Sequence, residues 1–270
     1  MSAPENGNQP ESSGAAKGRR TRIDTLKNRG NSDAIQNGSD AAKGHPIERH
    51  PFEPFLPAGA RMLFLGSFPP QPHRWCMSFY YPNWINDFWR ILGLIHFGDK
   101  DHFCLAREKR FDEQSIRQFC ADAGLAFYDT ACEVRRLRDN ASDAFLEVVT
   151  PTDIPALLGL IPKCRMLITT GEKATSVVAE RFGCPVPAVG EYVDISLDGK
   201  ESESLNGADY RNVSPDGLNG TGHPNVSPGS LDGAGLRIVW QLRFWRMPSS
   251  SRAYPLPLER KAEMYRRLFI

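Results

Sequence analysis

Short apolar segments alternate with helical patterns along most of this chain, and this alternation limits the possible folds more than any other feature. The strand-like segments are Met62–Leu65, Leu125–Tyr128, Cys164–Thr169 and Leu236–Phe244. Strands that are separated by helices usually form right-handed parallel βαβ units, with helices packed on both faces of the sheet. The sequence therefore predicts an α/β protein, a three-layer α/β/α sandwich around a mainly parallel sheet.

Two segments have a composition that does not suit a packed core. Residues 1–44 are rich in Ser, Gly, Asn, Ala and charged residues, and residues 197–235 in Gly, Asn, Ser, Asp and Pro. The tetrapeptide NVSP begins at Asn212 and Asn225, and SLDG begins at Ser196 and Ser230. Such segments bury too little apolar surface to offset the entropy that ordering costs. We predict a disordered tail at 1–44 and a single domain at 45–270. A flexible insertion at about 197–235 would sit at the tip of a hairpin.

Charge and cysteine content exclude few classes of protein. The formal net charge is +1, which neither favours nor excludes a nucleic-acid partner. The six cysteines form no CxxC pair, so we expect free thiols in a reducing compartment. The sequence lacks an apolar signal core and any segment of membrane-spanning length. We therefore expect a soluble, intracellular protein without a membrane partner, in the cytoplasm or nucleoid if the source is a prokaryote.

The segment from Arg61 to Ile95 combines a strand, a Gly/Pro loop and a helix. Gly66-Ser67 and Pro69-Pro70 end the first strand, an aromatic loop follows, and apolar residues recur at helical spacing from Trp84 onward. In α/β proteins ligands bind at the carboxyl ends of the strands. The aromatic loop is thus a candidate site that could stack a planar base, although its rings could also simply pack.

A second loop with polar character follows the last strand. Its residues Pro248, Ser249, Ser250 and Ser251 offer hydroxyl groups and backbone N–H groups, and the flanking side chains are Arg246 and Arg252. These groups suit a phosphate backbone. Both loops follow strands of the predicted parallel sheet and should lie at the same sheet edge, so together they indicate a nucleotide or nucleic-acid site.

Three short motifs resemble those of a known superfamily. GSFPP, FYYPNWINDFW and MPSSSRAY are similar to motifs of the uracil-DNA glycosylase superfamily, especially the branch that includes hypoxanthine-DNA glycosylases. The resemblance covers the folded portion of the chain. It implies a four-stranded parallel sheet and hydrolysis of the N-glycosidic bond of a deaminated base, uracil or hypoxanthine, at the start of base excision repair. It also implies a monomer with no cofactor or metal, whose partner is DNA containing a damaged base.

The resemblance also assigns a catalytic residue. Phe68 and Met247 stand where many members of the superfamily have polar residues. In the hypoxanthine branch the polar residue lies in a block of the form YY-x4-N-x-FW, and by this match Asn86 is catalytic. An amide there could orient the attacking water, or it could only brace the helix start. The departures leave open a catalytically inactive nucleic-acid-binding protein or a small-nucleotide hydrolase on the same fold.

The remaining candidates would contact the extruded base. Backbone N–H groups of the Gly66-Ser67 turn could stabilise charge on it. A residue of the Ser249–Arg252 loop, the serine loop, could fill the gap left in the duplex. Asn83 is also a candidate helix cap, Asp129 either a turn former or a second water-binding group, and His73 a surface or DNA-facing residue. The full set of predicted base-binding residues is Gly66, Ser67, Phe68, Phe79, Tyr81, Asn83 and Thr170.

Overall fold

The computed structural model of the protein describes residues 44–138, 145–198 and 239–270. The predicted tail lies outside these ranges apart from its last residue, and so does the predicted insertion from residue 199 onward. Both therefore stay predictions, as does the single domain at 45–270. In the part of the chain that is described, no helix is both long and apolar enough to cross a membrane. None of the six cysteines, all of which lie in the described ranges, forms a disulfide.

The described ranges contain ten strands and five α-helices, with short 3-10 turns at Pro72–Arg74, Ala106–Glu108 and Arg267–Phe269. In chain order the strands are β1 Ile47–Arg49, β2 Met62–Gly66, β3 Cys104–Leu105, β4 Arg110–Phe111, β5 Leu125–Asp129, β6 Ala131–Arg136, β7 Leu146–Pro151, β8 Met166–Thr170, β9 Glu191–Asp198 and β10 Val239–Met247. The helices are α1 Phe88–Phe97, α2 Glu113–Ala123, α3 Ile154–Leu160, α4 Glu172–Phe182 and α5 Leu258–Arg266.

A five-stranded sheet with the order β5-β2-β8-β10-β9 forms the centre of the fold. The first four of these strands run parallel, and β9 pairs antiparallel with β10. The prediction of an α/β fold with a mainly parallel sheet is confirmed, but the expected number of four strands is wrong. The fifth strand has buried Ile195 and Leu197 alternating with exposed Asp194 and Ser196, the pattern of a half-buried antiparallel strand.

The strand order also fixes where the helices lie. The chain moves from β2 to β5 in one direction along the sheet and then from β5 to β8 and β10 in the other. Right-handed crossovers, which parallel strands almost always adopt, then place α1 and α2 on one face and α3 and α4 on the other. α5 packs against α1. This gives the layered α/β/α arrangement, with a core around Phe64, Phe127 and Phe244.

A second sheet with the order β1-β6-β7 was not predicted from the sequence. Its middle strand β6 has the sequence ACEVRR, in which Glu133, Arg135 and Arg136 are charged. The charged residues make the strand look exposed in the sequence, although Ala131 and Val134 are buried. Phe68 and Leu146 complete this small apolar cluster. Because β6 follows β5 after Thr130 alone, the second sheet lies next to the carboxyl edge of the central sheet.

Helix α1 begins at Phe88, four residues later than the predicted start at Trp84. The Asn83 Oδ1 atom accepts a hydrogen bond from the Ile85 N–H at 3.1 Å, and the Asn86 Oδ1 atom accepts one from the Phe88 N–H at 2.9 Å. Asn side chains that bond backbone groups in this way compete with helix formation. The segment 83–87 is therefore a loop built from two consecutive Asx turns.

Candidate active site

A cavity of about 180 Å³ lies where β2, β5 and β8 end, beside the loop that follows β10. Ligands of α/β proteins bind at this edge. The volume suits one planar ring system, since a protein cavity of about 150 Å³ takes up benzene. The predicted site residues that line it are Gly66, Ser67, Phe68, Tyr81, Asn83, Asn86, Thr170, Ser249, Ser250 and Ser251.

Asp129 also lines the cavity, and its position depends on a glycine. It stands opposite Gly66 in the register of β5 and β2, and its Oδ1 atom accepts a hydrogen bond from the Gly66 N–H at 3.1 Å. A Cβ atom at Gly66 would lie 2.6 Å from that oxygen, so only glycine allows this close approach. The bond uses the Gly66 N–H that was expected to face a ligand. The amides of Ser67 and Phe68, which have no hydrogen-bond partner in the described residues, are the donors left at this turn.

His50 holds the other oxygen of Asp129. Its Nε2 atom lies 3.1 Å from Asp129 Oδ2, and its Nδ1 atom lies 2.8 Å from the carbonyl oxygen and 3.2 Å from the amide nitrogen of Phe52. A neutral ring with its proton on Nε2 and a doubly protonated ring both donate to the carboxylate, and a ring protonated only on Nδ1 does not. The His50 side chain is 2% exposed, so Asp129 has a fixed, buried donor.

Sequence reasoning missed this histidine, because His50 belongs to no motif and comes directly after the short strand β1. His73, the histidine that was considered, is exposed on a 3-10 turn. A nearby His and Asp can be recognised in a sequence only when their spacing fits one element, and 79 positions separate this pair. The β1-β6 pairing brings them together.

Tyr81 forms part of the cavity wall in a strained backbone conformation. Its φ of 51° is uncommon for a residue with a side chain and costs about 1–3 kcal/mol. The ring stacks on Phe88 with centroids 3.8 Å apart, and the hydroxyl group lies 2.8 Å from Thr170 Oγ1. Burial raises the pKa of Tyr81, so the phenol stays neutral. These two contacts hold Tyr81 and Thr170 together at the end of β8.

Phe68 and Arg136 also line the cavity. Phe68 is buried, and the Arg136 guanidinium lies 5.6 Å from the centre of its ring. Arg136 donates hydrogen bonds to Glu48 Oε2 at 2.9 Å and to the Pro69 carbonyl oxygen at 2.6 Å. Its side chain is only 7% exposed. The Phe68 ring is therefore packed under a fixed cation, which sequence reasoning did not identify.

Asn86 combines a structural role with a free donor. Its Oδ1 atom caps the Phe88 N–H, and this bond identifies the oxygen of the amide, since only oxygen can accept. The Nδ2 group has no hydrogen-bond partner within the described ranges. The backbone of Asn86 forms an isolated β-bridge with Ser251, which joins the two loops. The Oδ1 atom of Asn86 thus braces the start of α1, and its NH2 group is available to bind a ligand.

The serine loop is anchored to the start of α1 through Asp87. The Asp87 N–H donates to the Ser250 carbonyl oxygen at 3.0 Å, and its carboxylate accepts from Arg252 Nε at 2.9 Å and Lys261 Nζ at 3.3 Å. Lys261, with a side chain 1% exposed, also donates to the Ser251 carbonyl oxygen at 2.8 Å. This network fixes the loop while leaving half of the Arg252 side chain exposed.

Four predicted site residues do not line the cavity, of which Arg252 lies in the adjoining groove and the other three lie elsewhere. Phe79 is 1% exposed, because it packs in the core and does not face the cavity. Arg246 lies within β10 and donates to the Pro187 carbonyl oxygen at 3.4 Å. Pro248 is buried, and its carbonyl oxygen accepts from the Tyr265 hydroxyl at 2.7 Å. Phe79, Arg246 and Pro248 are therefore not expected to contact a ligand in the cavity.

The close approach at Gly66 can be tested by substitution. Gly66→Ala should lower the free energy of unfolding by about 1–3 kcal/mol, because the new methyl group displaces the Asp129 carboxylate. Chemical denaturation measures this change. Gly59→Ala is the control, since a Cβ atom there meets nothing within 4 Å. Adding Asp129→Ala to Gly66→Ala should cost less than the sum of the single changes. Additive losses would contradict the contact.

Comparisons with known proteins provide little further information. No protein-family model matches the chain, and no curated protein matches it. Among solved structures it is similar to the solution NMR structure of a candidate uracil DNA glycosylase from Methanosarcina acetivorans. The identity is 22%, the match covers 53% of this chain and 83% of that one, and the TM-score is 0.39. A likeness of this extent carries no weight for activity, so function must be inferred from the geometry of the site.

Proposed function

We propose that this protein is a monofunctional DNA glycosylase that hydrolyses the N-glycosidic bond of a deaminated base, uracil or hypoxanthine, and so initiates base excision repair. The observation that carries the proposal is the set of groups around one cavity with room for a single base. The carboxylate of Asp129 and the amide of Asn86 line it together with the rings of Phe68 and Tyr81. The serine loop, which suits phosphate, borders the same cavity.

The proposed chemistry assigns a task to each of these groups. Cleavage of the C1′–N bond passes through an oxocarbenium-like sugar, and the bonding electron pair leaves with the base. The Asp129 carboxylate stabilises the positive sugar and takes a proton from the attacking water, whose oxygen bonds to C1′. The NH2 group of Asn86 holds that water. The free amides of Ser67 and Phe68 stabilise the negative charge on the departing base.

Water is favoured over an amine as the nucleophile. A lysine that forms a Schiff base with the sugar would have to reach the cavity, and no lysine lines it in the described part of the chain. The buried Lys261 is bound to Asp87 and to the Ser251 carbonyl oxygen. Hydrolysis without strand cleavage is therefore the reaction that these residues support.

The decisive experiment uses duplexes that each contain one uracil, one hypoxanthine or only normal bases. They are incubated with the purified protein, and alkali then breaks the strand at any abasic site. Strand breaks at one deaminated base, and none in the normal duplex, are the expected result. Binding without breaks would instead identify an inactive DNA-binding protein. If the protein neither binds the duplexes nor produces breaks, a DNA function is overturned. A small-nucleotide hydrolase is then the remaining alternative.

Arg252 is expected to contact a phosphate. Arg252→Gln should weaken DNA binding at low salt, and the slope of log affinity against log salt should fall by about 1, as expected for one lost phosphate contact. Fluorescence anisotropy over a salt series measures both quantities. Arg246→Gln is the matched control, because Arg246 faces Pro187 within β10. Equal effects of the two changes, or no effect of the first, would contradict this role for Arg252.

A further inference from the structure

Ile85 is an exposed apolar residue at the rim of the cavity. We propose that it is a wedge that enters the base stack of duplex DNA and fills the space left by the extruded base. The proposal rests on the proposed function and names its substrate form, double-stranded DNA. Base extrusion leaves a gap in the duplex, and proteins that distort DNA often insert Ile, Leu, Met or Phe between bases.

The position of Ile85 distinguishes it from other exposed apolar residues. Its relative exposure is 53%, which alone is ordinary for a single surface residue. It stands, however, between Asn83 and Asn86, both of which line the cavity. Its neighbour Trp84 points inward, with its ring 5.1 Å from that of Phe111. The loop thus packs its larger apolar side chain, partly buried, against the core and exposes the smaller one beside the place where the base would enter.

The loop is rigid enough to hold a wedge. The Ile85 N–H donates to Asn83 Oδ1 at 3.1 Å, and the Asn86 N–H donates to the Asn83 carbonyl oxygen at 2.8 Å. The buried Arg90 donates to the carbonyl oxygens of Trp84 and Asn86 at 2.9 and 3.1 Å. Separating stacked bases costs a few kcal/mol per step. A wedge on a loop that these four hydrogen bonds fix loses little conformational entropy when it enters the stack.

The surroundings of Ile85 suit the DNA backbone. A groove adjoins the cavity and shares Asn83 and Asn86 with it, and Arg74 and Arg252 lie in this groove with Ile85. Arg74 is exposed and the Arg252 side chain is half exposed, and no carboxylate lines the groove among the described residues. Phosphates beside an extruded nucleotide would therefore meet two cations in the same groove as the apolar wedge.

The serine loop is less suited to this task than Ile85. Ser250 is only 2% exposed. The hydroxyl groups of Ser249 and Ser251 accept hydrogen bonds from the N–H groups of Ser251 and Ala253, each at 3.2 Å. These side chains are small, polar and engaged within their own loop, so they brace the site without filling a gap between bases.

The test compares single-turnover excision from a duplex and from a single strand with the same deaminated base. Ile85→Ala should lower the excision rate on the duplex about tenfold or more, because base extrusion loses its support. The excision rate on the single strand should stay within about twofold of the wild-type rate. Ile85→Leu should restore the duplex rate. Val186→Ala is the control, since Val186 is 52% exposed and lies outside the groove. Equal losses on both substrates, or no loss on the duplex, would overturn the wedge.

A second measurement keeps the wedge separate from the proposed function. The fluorescence of 2-aminopurine, placed next to the deaminated base in the duplex, rises when stacking is broken and needs no chemistry. Wild-type protein should raise it, and Ile85→Ala should abolish most of the rise. If the wild type excises from neither substrate, the proposed function fails, and the fluorescence still decides whether Ile85 enters the stack.

Discussion

Asn86→Ala is expected to lower single-turnover excision by about two orders of magnitude, the scale seen when one positioned polar group is lost from an active site. Asn86 lines the cavity, and its Nδ2 group is a side-chain donor without a protein partner among the described residues. Affinity for DNA should change little, because a neutral amide makes no ionic contact with a phosphate. Rapid-quench excision and anisotropy on the same duplex measure the two quantities.

The helix-cap role of Asn86 needs a variant of its own. Alanine also removes the acceptor for the Phe88 N–H, which should cost about 1 kcal/mol of stability. Asn86→Asp keeps an acceptor at the start of α1 and loses the NH2 donor. We therefore expect a melting temperature close to that of the wild type together with a rate as low as that of Asn86→Ala. An active Asn86→Asp variant would show that the amide donor is not needed.

Asn83 provides the matched control for Asn86. Its Oδ1 atom caps the Ile85 N–H in a similar Asx turn, but at the exposed side of the loop. Asn83→Ala should thus lower stability slightly and leave excision nearly unchanged. An inactive Asn83→Ala variant beside an active Asn86→Ala variant would transfer the catalytic role to Asn83. Full activity in both would leave Asp129 as the catalytic group at this end of the cavity.

The four parallel strands could be predicted because each is a short apolar run with a clear end. Gly66 and Asp129 close β2 and β5 at the positions that the sequence indicated. The antiparallel strand β9 was expected only as one arm of the hairpin that carries the insertion. Its full length was not predicted, since its outward residues are polar. The second sheet was missed because its strands carry charged residues, and their burial depends on contacts with Phe68 and Leu146 that no local pattern reveals.

The candidate site was predicted at the level of loops and less well at the level of side chains. Phe79 and Tyr81 give the same aromatic signal, yet one ring enters the core and the other lines the cavity. The difference depends on the positive φ of Tyr81 and on its bond to Thr170, 89 positions away. His50 and Arg136 act through partners in distant segments, so single-sequence reasoning has no basis for choosing them.

Asp129→Asn should reduce excision by at least about a hundredfold while leaving the fold intact, which makes it the sharpest test of the proposed chemistry. The amide oxygen can still accept from the Gly66 N–H. The new NH2 group can donate to His50 Nε2 if the ring carries its proton on Nδ1, which already lies 2.8 Å from the Phe52 carbonyl oxygen. The substitution removes the negative charge, and with it the stabilisation of the sugar cation and the acceptor for the proton of water.

Variants of His50 separate the charge of Asp129 from its orientation. His50→Ala removes the hydrogen bond to Asp129 Oδ2, while the Gly66 N–H still bonds Oδ1, and should cost about 1–3 kcal/mol of stability. His50→Gln can still donate to Asp129 Oδ2, so it should recover most of the stability and the excision rate. Melting curves and excision rates of the three variants measure these effects. If Asp129→Asn excises at a rate within about threefold of the wild type, the carboxylate takes no part in the chemistry. Its role would then be structural, through its hydrogen bonds with Gly66 and His50.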